Sequence, residues 1–174
     1  MKNIFHRKKG FTLVEMLVTI SIVTLLSGVG FAAFVSHSRT QAVEQAANDL
    51  KEGVEKAKFN TVSFIKPDVS GCPNPFTGYH MHFCVASKAS CSNIYDFEVD
   101  SQYSYTDAAC SLPVYRYKLP QNVSYGAGST CRDIRIASIS NLTNGTTLPC
   151  QIVVSAYGIT KTLSIDSSLN VSIN

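Results

Sequence analysis

His6-Arg7-Lys8-Lys9-Gly10-Phe11-Thr12-Leu13-Val14-Glu15-Met16 leads into an apolar run that extends to Val35. Met16 to Val35 holds twenty residues without a formal charge. That is enough for a helix, rising about 1.5 Å per residue, to cross the ~30 Å of bilayer hydrocarbon. Lys2, Arg7, Lys8 and Lys9 all precede Gly10, and positive residues beside an apolar helix hold that end in the cytoplasm. Glu15 is the anomaly. A carboxylate in a segment suited to lipid is costly unless a cation meets it, which marks Glu15 as a functional residue with a partner.

A secretory signal peptide is the ordinary competitor, with its basic start and apolar run of about 7–15 residues. Ala32-Ala33 and Ser36 imitate its cleavage region. The run here is longer, however, and that reading leaves Glu15 without a purpose. After His37 the pattern changes. Val43, Ala47, Leu50, Val54 and Ala57 recur at spacings of four and three, with Ala46 widening the stripe, which predicts an amphipathic helix through about Phe59. Glu44, Asp49, Lys51, Glu52, Glu55, Lys56 and Lys58 fall on the other side as a solvated face, with Glu52 and Lys56 spaced for a weak exposed pair. Gly28 and Gly30 leave open whether the helix bends there.

Beyond Asn60 the helical period fades. His80–Ala86, Ile94–Val99, Pro113–Leu119, Arg132–Ser138, Gln151–Tyr157, Thr160–Ile165 and Leu169–Ile173 carry the alternation and β-branched or aromatic content of strands. Gly71, Pro73-Asn74-Pro75, Gly78, Gly126-Ala127-Gly128 and Asn144-Gly145 punctuate them. The tail predicts a hairpin turning at Tyr157-Gly158, then a final strand after a turn at Asp166-Ser167-Ser168. Cys72, Cys84, Cys91, Cys110, Cys131 and Cys150 all fall in this region. An even cysteine count outside the membrane segment predicts disulfides formed in an oxidising compartment, with pairing left open.

The junction at Gly10-Phe11, the acid at Glu15 and the apolar run resemble the amino terminus of type IV pilin and pseudopilin precursors. The specific match covers roughly the first fifty residues. The resemblance implies that a prepilin peptidase cuts between Gly10 and Phe11 and methylates the new Phe11 amine. It also implies that Glu15 pairs with a Phe11 amine as subunits polymerise through the helix. The expected fold class is α+β, with a long N-terminal helix packed on a C-terminal antiparallel sheet. Residues 1–10 are then a leader, 11–36 a transmembrane and filament-core helix, 37–60 its amphipathic continuation, and 61–174 a disulfide-stabilised head. The expected place is the cytoplasmic membrane, with an extracytoplasmic head that ends in an external filament or a periplasmic pseudopilus. The implied partners are other pilin subunits, the peptidase-methyltransferase and a membrane assembly platform. Relatives often carry a proline in the first half of the helix; none occurs here. The Phe11-to-Phe59 region, particularly Arg39 through Lys58, distantly resembles minor pilins and pseudopilins of the general-secretion type.

Other functions receive less from the residues. Four of the 15 Lys/Arg lie in the first ten positions, and the rest of the chain is one charge negative, so the basic character belongs to the leader rather than to a nucleic-acid surface. A DNA-binding competence pilin is the alternative reading. Arg116, Lys118, Arg132 and Arg135 would contact phosphates, and Tyr103, Tyr105, Tyr115, Tyr117 and Tyr125 would stack on bases. A type II secretion pseudopilin is the other. No phosphate-binding glycine motif, zinc-protease helix or serine-hydrolase elbow occurs, so no catalytic residue, cofactor or metal is assigned. His80, His82, Cys84 and Cys91 offer nitrogen and sulfur to zinc, but disulfide pairing accounts for the sulfurs more simply. The sequons at Asn122, Asn141, Asn144 and Asn170 reflect a head rich in Ser, Thr and Asn.

Overall fold

A computed structural model describes residues 10–63, 65–67, 76–85, 95–102, 111–137 and 148–174. Among the described residues one helix, α1 (Leu13–Val62), is followed by eight strands: β1 (Gly78–Phe83), β2 (Phe97–Gln102), β3 (Ser111–Tyr117), β4 (Ser124–Tyr125), β5 (Asp133–Ala137), β6 (Cys150–Ala156), β7 (Ile159–Ile165) and β8 (Val171–Ile173). The chain divides into two compact units, Met1–Ser38 and Arg39–Asn174.

In the first unit, α1 runs through Gly28 and Gly30 without interruption. Leu13, Leu17, Ile20, Leu25, Leu26, Phe31 and Phe34 are all exposed. This segment makes α1 long and apolar enough to cross a membrane. Its few hydroxyls turn inward on the helix: Thr19 donates to the Met16 carbonyl at 2.9 Å, Ser21 to Leu17 at 2.8 Å, and Thr24 to Ile20. Backbone acceptors within one turn satisfy these groups, so they present little unpaired polarity to lipid.

In the second unit, residues 39–62 of α1 pack on two four-stranded antiparallel sheets. The strand orders are β3-β2-β1-β5 and β4-β6-β7-β8. The predicted stripe is the contact: Val43, Ala46, Ala47, Leu50, Val54 and Ala57 are buried in one core with Tyr79, Met81, Phe97, Val99, Ile134, Ile152 and Leu163. Each large apolar side chain so buried contributes about 1.5–3 kcal/mol. The charged residues flanking the stripe are less idle than the sequence suggested. Lys161 Nζ lies 3.8 Å from Glu44, Lys58 donates to Asn170 Oδ1 at 2.7 Å, and the Lys56 ammonium sits 5.5 Å from the centroid of the Tyr115 ring. The i,i+4 pair on this helix is Lys51–Glu55 at 3.7 Å. The head supplies nearby partners that helical spacing alone does not reveal.

Gly53 lies within this packed stripe. A Cβ there would come within 2.3 Å of Phe97 Cε1 and 2.9 Å of Tyr115 Cε1, so helix and sheet approach too closely for a side chain. Gly53→Ala gains about 1 kcal/mol of helix propensity but overpacks the contact by about 1–3 kcal/mol. The expected net result is a lower urea midpoint, with a larger drop for Gly53→Leu. A midpoint equal to or above wild type in both variants would show that the rings yield freely.

Most predicted strands appear, with shifted ends. The strand expected at 94–99 is Phe97–Gln102, because Asp96 bends the chain and accepts the Leu119 N–H on its carboxylate at 3.0 Å. β1 begins at Gly78, where φ is +145° and a Cβ would strike the Ile136 carbonyl. It ends at Phe83, beyond which Cys84 N–H reaches the Asp96 carbonyl. The two-residue β4 was not foreseen. The tail is as expected: β6 and β7 pair from Cys150↔Ile165 to Ala156↔Ile159, and β8 adds to β7. Tyr157 and Gly158 both take positive φ at the turn, the geometry that matches strand twist in a two-residue hairpin.

The disulfide expectation is met at Cys131–Cys150, two residues 19 apart in sequence. It fastens the segment before β5 to the start of β6, and a closure of this kind contributes about 2–4 kcal/mol. Cys84 is also disulfide-bonded. Cys72, Cys91 and Cys110 lie outside the described residues, as do the expected turns at Gly71–Pro75 and Asn144-Gly145.

Candidate functional site

Gly10 and Phe11 precede α1, and both are exposed; the basic residues 1–9 lie outside the described residues. Thr12 caps the helix. Its Oγ1 accepts the Glu15 N–H at 3.2 Å and its carbonyl accepts the Met16 N–H at 3.2 Å. Thr12-Leu13-Val14-Glu15 therefore has the Thr-x-x-Glu pattern of a capping box, with Phe11 and Met16 placed as the apolar residues that flank one. The sequence reading placed Glu15 in a costly setting beside a Phe11 amine and left out the cap at Thr12, although the spacing is visible in sequence. Glu15 stands in the first turn of α1, where a carboxylate meets the positive end of the helix dipole and unpaired backbone donors.

The head brings together a second set of polar groups. On β1, His80 and His82 alternate with buried Tyr79, Met81 and Phe83, so both imidazoles project from the face of the sheet opposite the core. Across the ladder His82 pairs with Glu98 on β2 and Asp133 on β5, while His80 pairs with Asp100 and Arg135. His82 Nδ1 and Asp133 Oδ1 are hydrogen-bonded at 2.6 Å, and His80 Nε2 lies 3.6 Å from the same oxygen. The two imidazole centroids are 3.6 Å apart. Burial, followed by the proximity of His82 and Arg135, pushes the His80 imidazole down to about 4, with Asp133 acting in the opposite direction. Burial raises the Asp100 carboxyl, His82 opposes this, and Glu98 adds to it. Arg116 reaches Glu98 at 3.6 Å.

Four of the candidates for nucleic-acid contact are engaged within the fold, while Lys118 and Arg132 are exposed. Tyr115 donates to the Asp49 carbonyl at 3.2 Å, Tyr125 donates to the Asp96 carbonyl at 2.8 Å, and Tyr117 packs against the core. Burial raises the hydroxyl pKa of all three. Arg116 is committed to Glu98 and stands over the Tyr95 ring. Tyr103 and Tyr105 lie outside the described residues. Of the sequon asparagines, Asn122 donates its amide to the Tyr157 hydroxyl at 3.0 Å, and Asn170 donates to Asp166 at 2.9 Å. Both amide nitrogens serve turns of the fold. Asn141 and Asn144 lie outside the described residues. Cys84 cannot offer a thiolate to a metal because it is disulfide-bonded, and the zinc set considered from sequence fails at that position.

The family described as "Prokaryotic N-terminal methylation motif" matches residues 5–31, which span the Gly10-Phe11 junction, Glu15 and the first half of the apolar helix. No curated protein and no solved structure matches the chain. A methylation motif at the start of a membrane-length helix, whose later turns carry an antiparallel β head, gives the described residues a pilin-like architecture.

Proposed function

We propose that the chain is a filament subunit, made as a precursor and cut between Gly10 and Phe11 by a prepilin peptidase that then methylates the Phe11 amine. Residues 1–10 are the leader, 11–36 anchor the subunit and later form the filament core, 37–60 seat the head, and 61–174 are the head. In the precursor, the cations before Gly10 hold that end in the cytoplasm and the head lies across the membrane. Assembly then requires a membrane platform and neighbouring subunits.

One observation carries this reading: the first unit is an exposed apolar helix whose lone acid sits in its first turn. In lipid or in a packed filament that carboxylate needs a cation. Cleavage would create one about a helical turn away, at the Phe11 amine, and methylation keeps it cationic. Pairing with the amine of an adjoining subunit would hide both charges and set axial register. Intact-mass analysis of protein from sheared surface filaments and from membranes tests the processing. The expected mass is that of a chain beginning at Phe11 and carrying one methyl group. A native chain that begins near Ser36, or retains residues 1–10, would overturn the proposal.

A further inference from the structure

We propose that His80, His82 and Asp133 form a binding site for a divalent transition cation of the zinc class on the outer face of the head. The three donor atoms all lie within 4.8 Å of one another. Two imidazoles and one carboxylate are a donor set that zinc accepts, with water as a fourth ligand. Metal–ligand bonds of about 2.0–2.1 Å at tetrahedral angles place neighbouring donors about 3.3 Å apart. The two distances to Asp133 Oδ1, 2.6 Å from His82 Nδ1 and 3.6 Å from His80 Nε2, bracket that value. The remaining separation, between the two imidazole nitrogens, is no more than 4.8 Å, so side-chain adjustment on a fixed backbone would admit an ion.

The setting favours a cation. His80 and His82 are fixed two residues apart on one strand, and Asp133 stands directly across from His82 on the next. Rotamer changes rather than backbone movement would complete the site. Asp100 and Glu98 flank the histidines from β2, so with Asp133 three acidic side chains stand near the imidazoles, opposite Arg116 and Arg135. The His80 side chain is 7% exposed and Asp133 is 46% exposed, which leaves an entry path on one side and shelter on the other. Bound there, the ion would tie edge strand β5 to β1 and stabilise the folded head by mass action.

The test uses the untagged full-length chain in detergent, first stripped with a chelator and then equilibrated with Zn2+. Equilibrium dialysis with elemental analysis should find one zinc per chain, and zinc should raise the melting temperature. Asp133→Asn keeps the shape of the side chain and should weaken binding at least tenfold while abolishing the thermal shift, as should His82→Gln. Circular dichroism should match wild type in both. The double variant His6→Ala/His37→Ala, which removes the other two histidines of the chain, should bind zinc as wild type does. No stoichiometric zinc, equal binding by folded Asp133→Asn, or loss of binding in the His6/His37 variant would each overturn the site. Filament assembly is not read in this experiment, so its outcome is separate from that of the assembly proposal.

Discussion

Glu15→Ala is expected to leave membrane insertion intact while removing nearly all of the subunit from filaments. Insertion is driven by the apolar run from Met16, which the substitution does not touch. The measurement is the ratio of subunit in sheared filaments to subunit in membranes, in cells that express only the variant. Two roles for Glu15 need separating, however, since it stands at the third position after the Thr12 cap as well as near the Phe11 amine that the proposed cleavage would create. Loss of a cap contact typically costs about 0.5–2 kcal/mol, whereas an amine left unpaired in an apolar filament core costs several kcal/mol. Glu15→Gln separates the two. Glutamine serves a capping box as well as glutamate does but carries no charge. If charge pairing governs assembly, Glu15→Gln fails as Glu15→Ala does. Normal filaments from Glu15→Gln with none from Glu15→Ala would assign the residue to helix capping instead. Normal filaments from both would remove it from assembly altogether.

Gly10→Arg is the second large effect, and it acts one step earlier. In the proposed processing the residue on the leader side of the cut must enter the peptidase, and among the described residues nothing lies within 4 Å of where a Cβ at Gly10 would be. The described fold therefore has room for a larger residue there, and a block would be imposed by the peptidase. The expected product has precursor mass, remains in the membrane and is absent from filaments. Gly10→Ala, one methyl larger, should be cut far better than Gly10→Arg. Complete processing of Gly10→Arg would mean that cleavage does not occur at this junction. If cleavage creates the Phe11 amine as proposed, uncut precursor lacks it, and the double variant Gly10→Arg/Glu15→Ala should assemble no worse than Gly10→Arg alone.

Some of this was legible in one dimension because the physics is local. A membrane-length helix needs only about twenty apolar residues in succession. An amphipathic continuation needs only the spacing of Val43, Ala47, Leu50, Val54 and Ala57. The hairpin at Tyr157-Gly158 lies between two strands that pair with their immediate sequence neighbour, so it too could be read. Less was legible where partners come from afar. The sequence placed Lys56 opposite Glu52, but the fold gave it the Tyr115 ring. Gly53 passed unremarked because a glycine in a helix is significant only for what packs against it. The Thr12–Glu15 cap is readable from its spacing, because a capping box is a contact within one turn.

Chain chemistry alone determined which half of the helix is apolar all round and long enough to cross a membrane, and which half carries a head, since periodicity and charge act over a few residues. Only the tertiary structure decided which strands share a sheet, which cysteine meets Cys131, and that Asp133 comes to face two histidines some fifty positions earlier. Those choices depend on contacts between residues far apart in sequence, whose closure cost is offset only when the whole core forms at once.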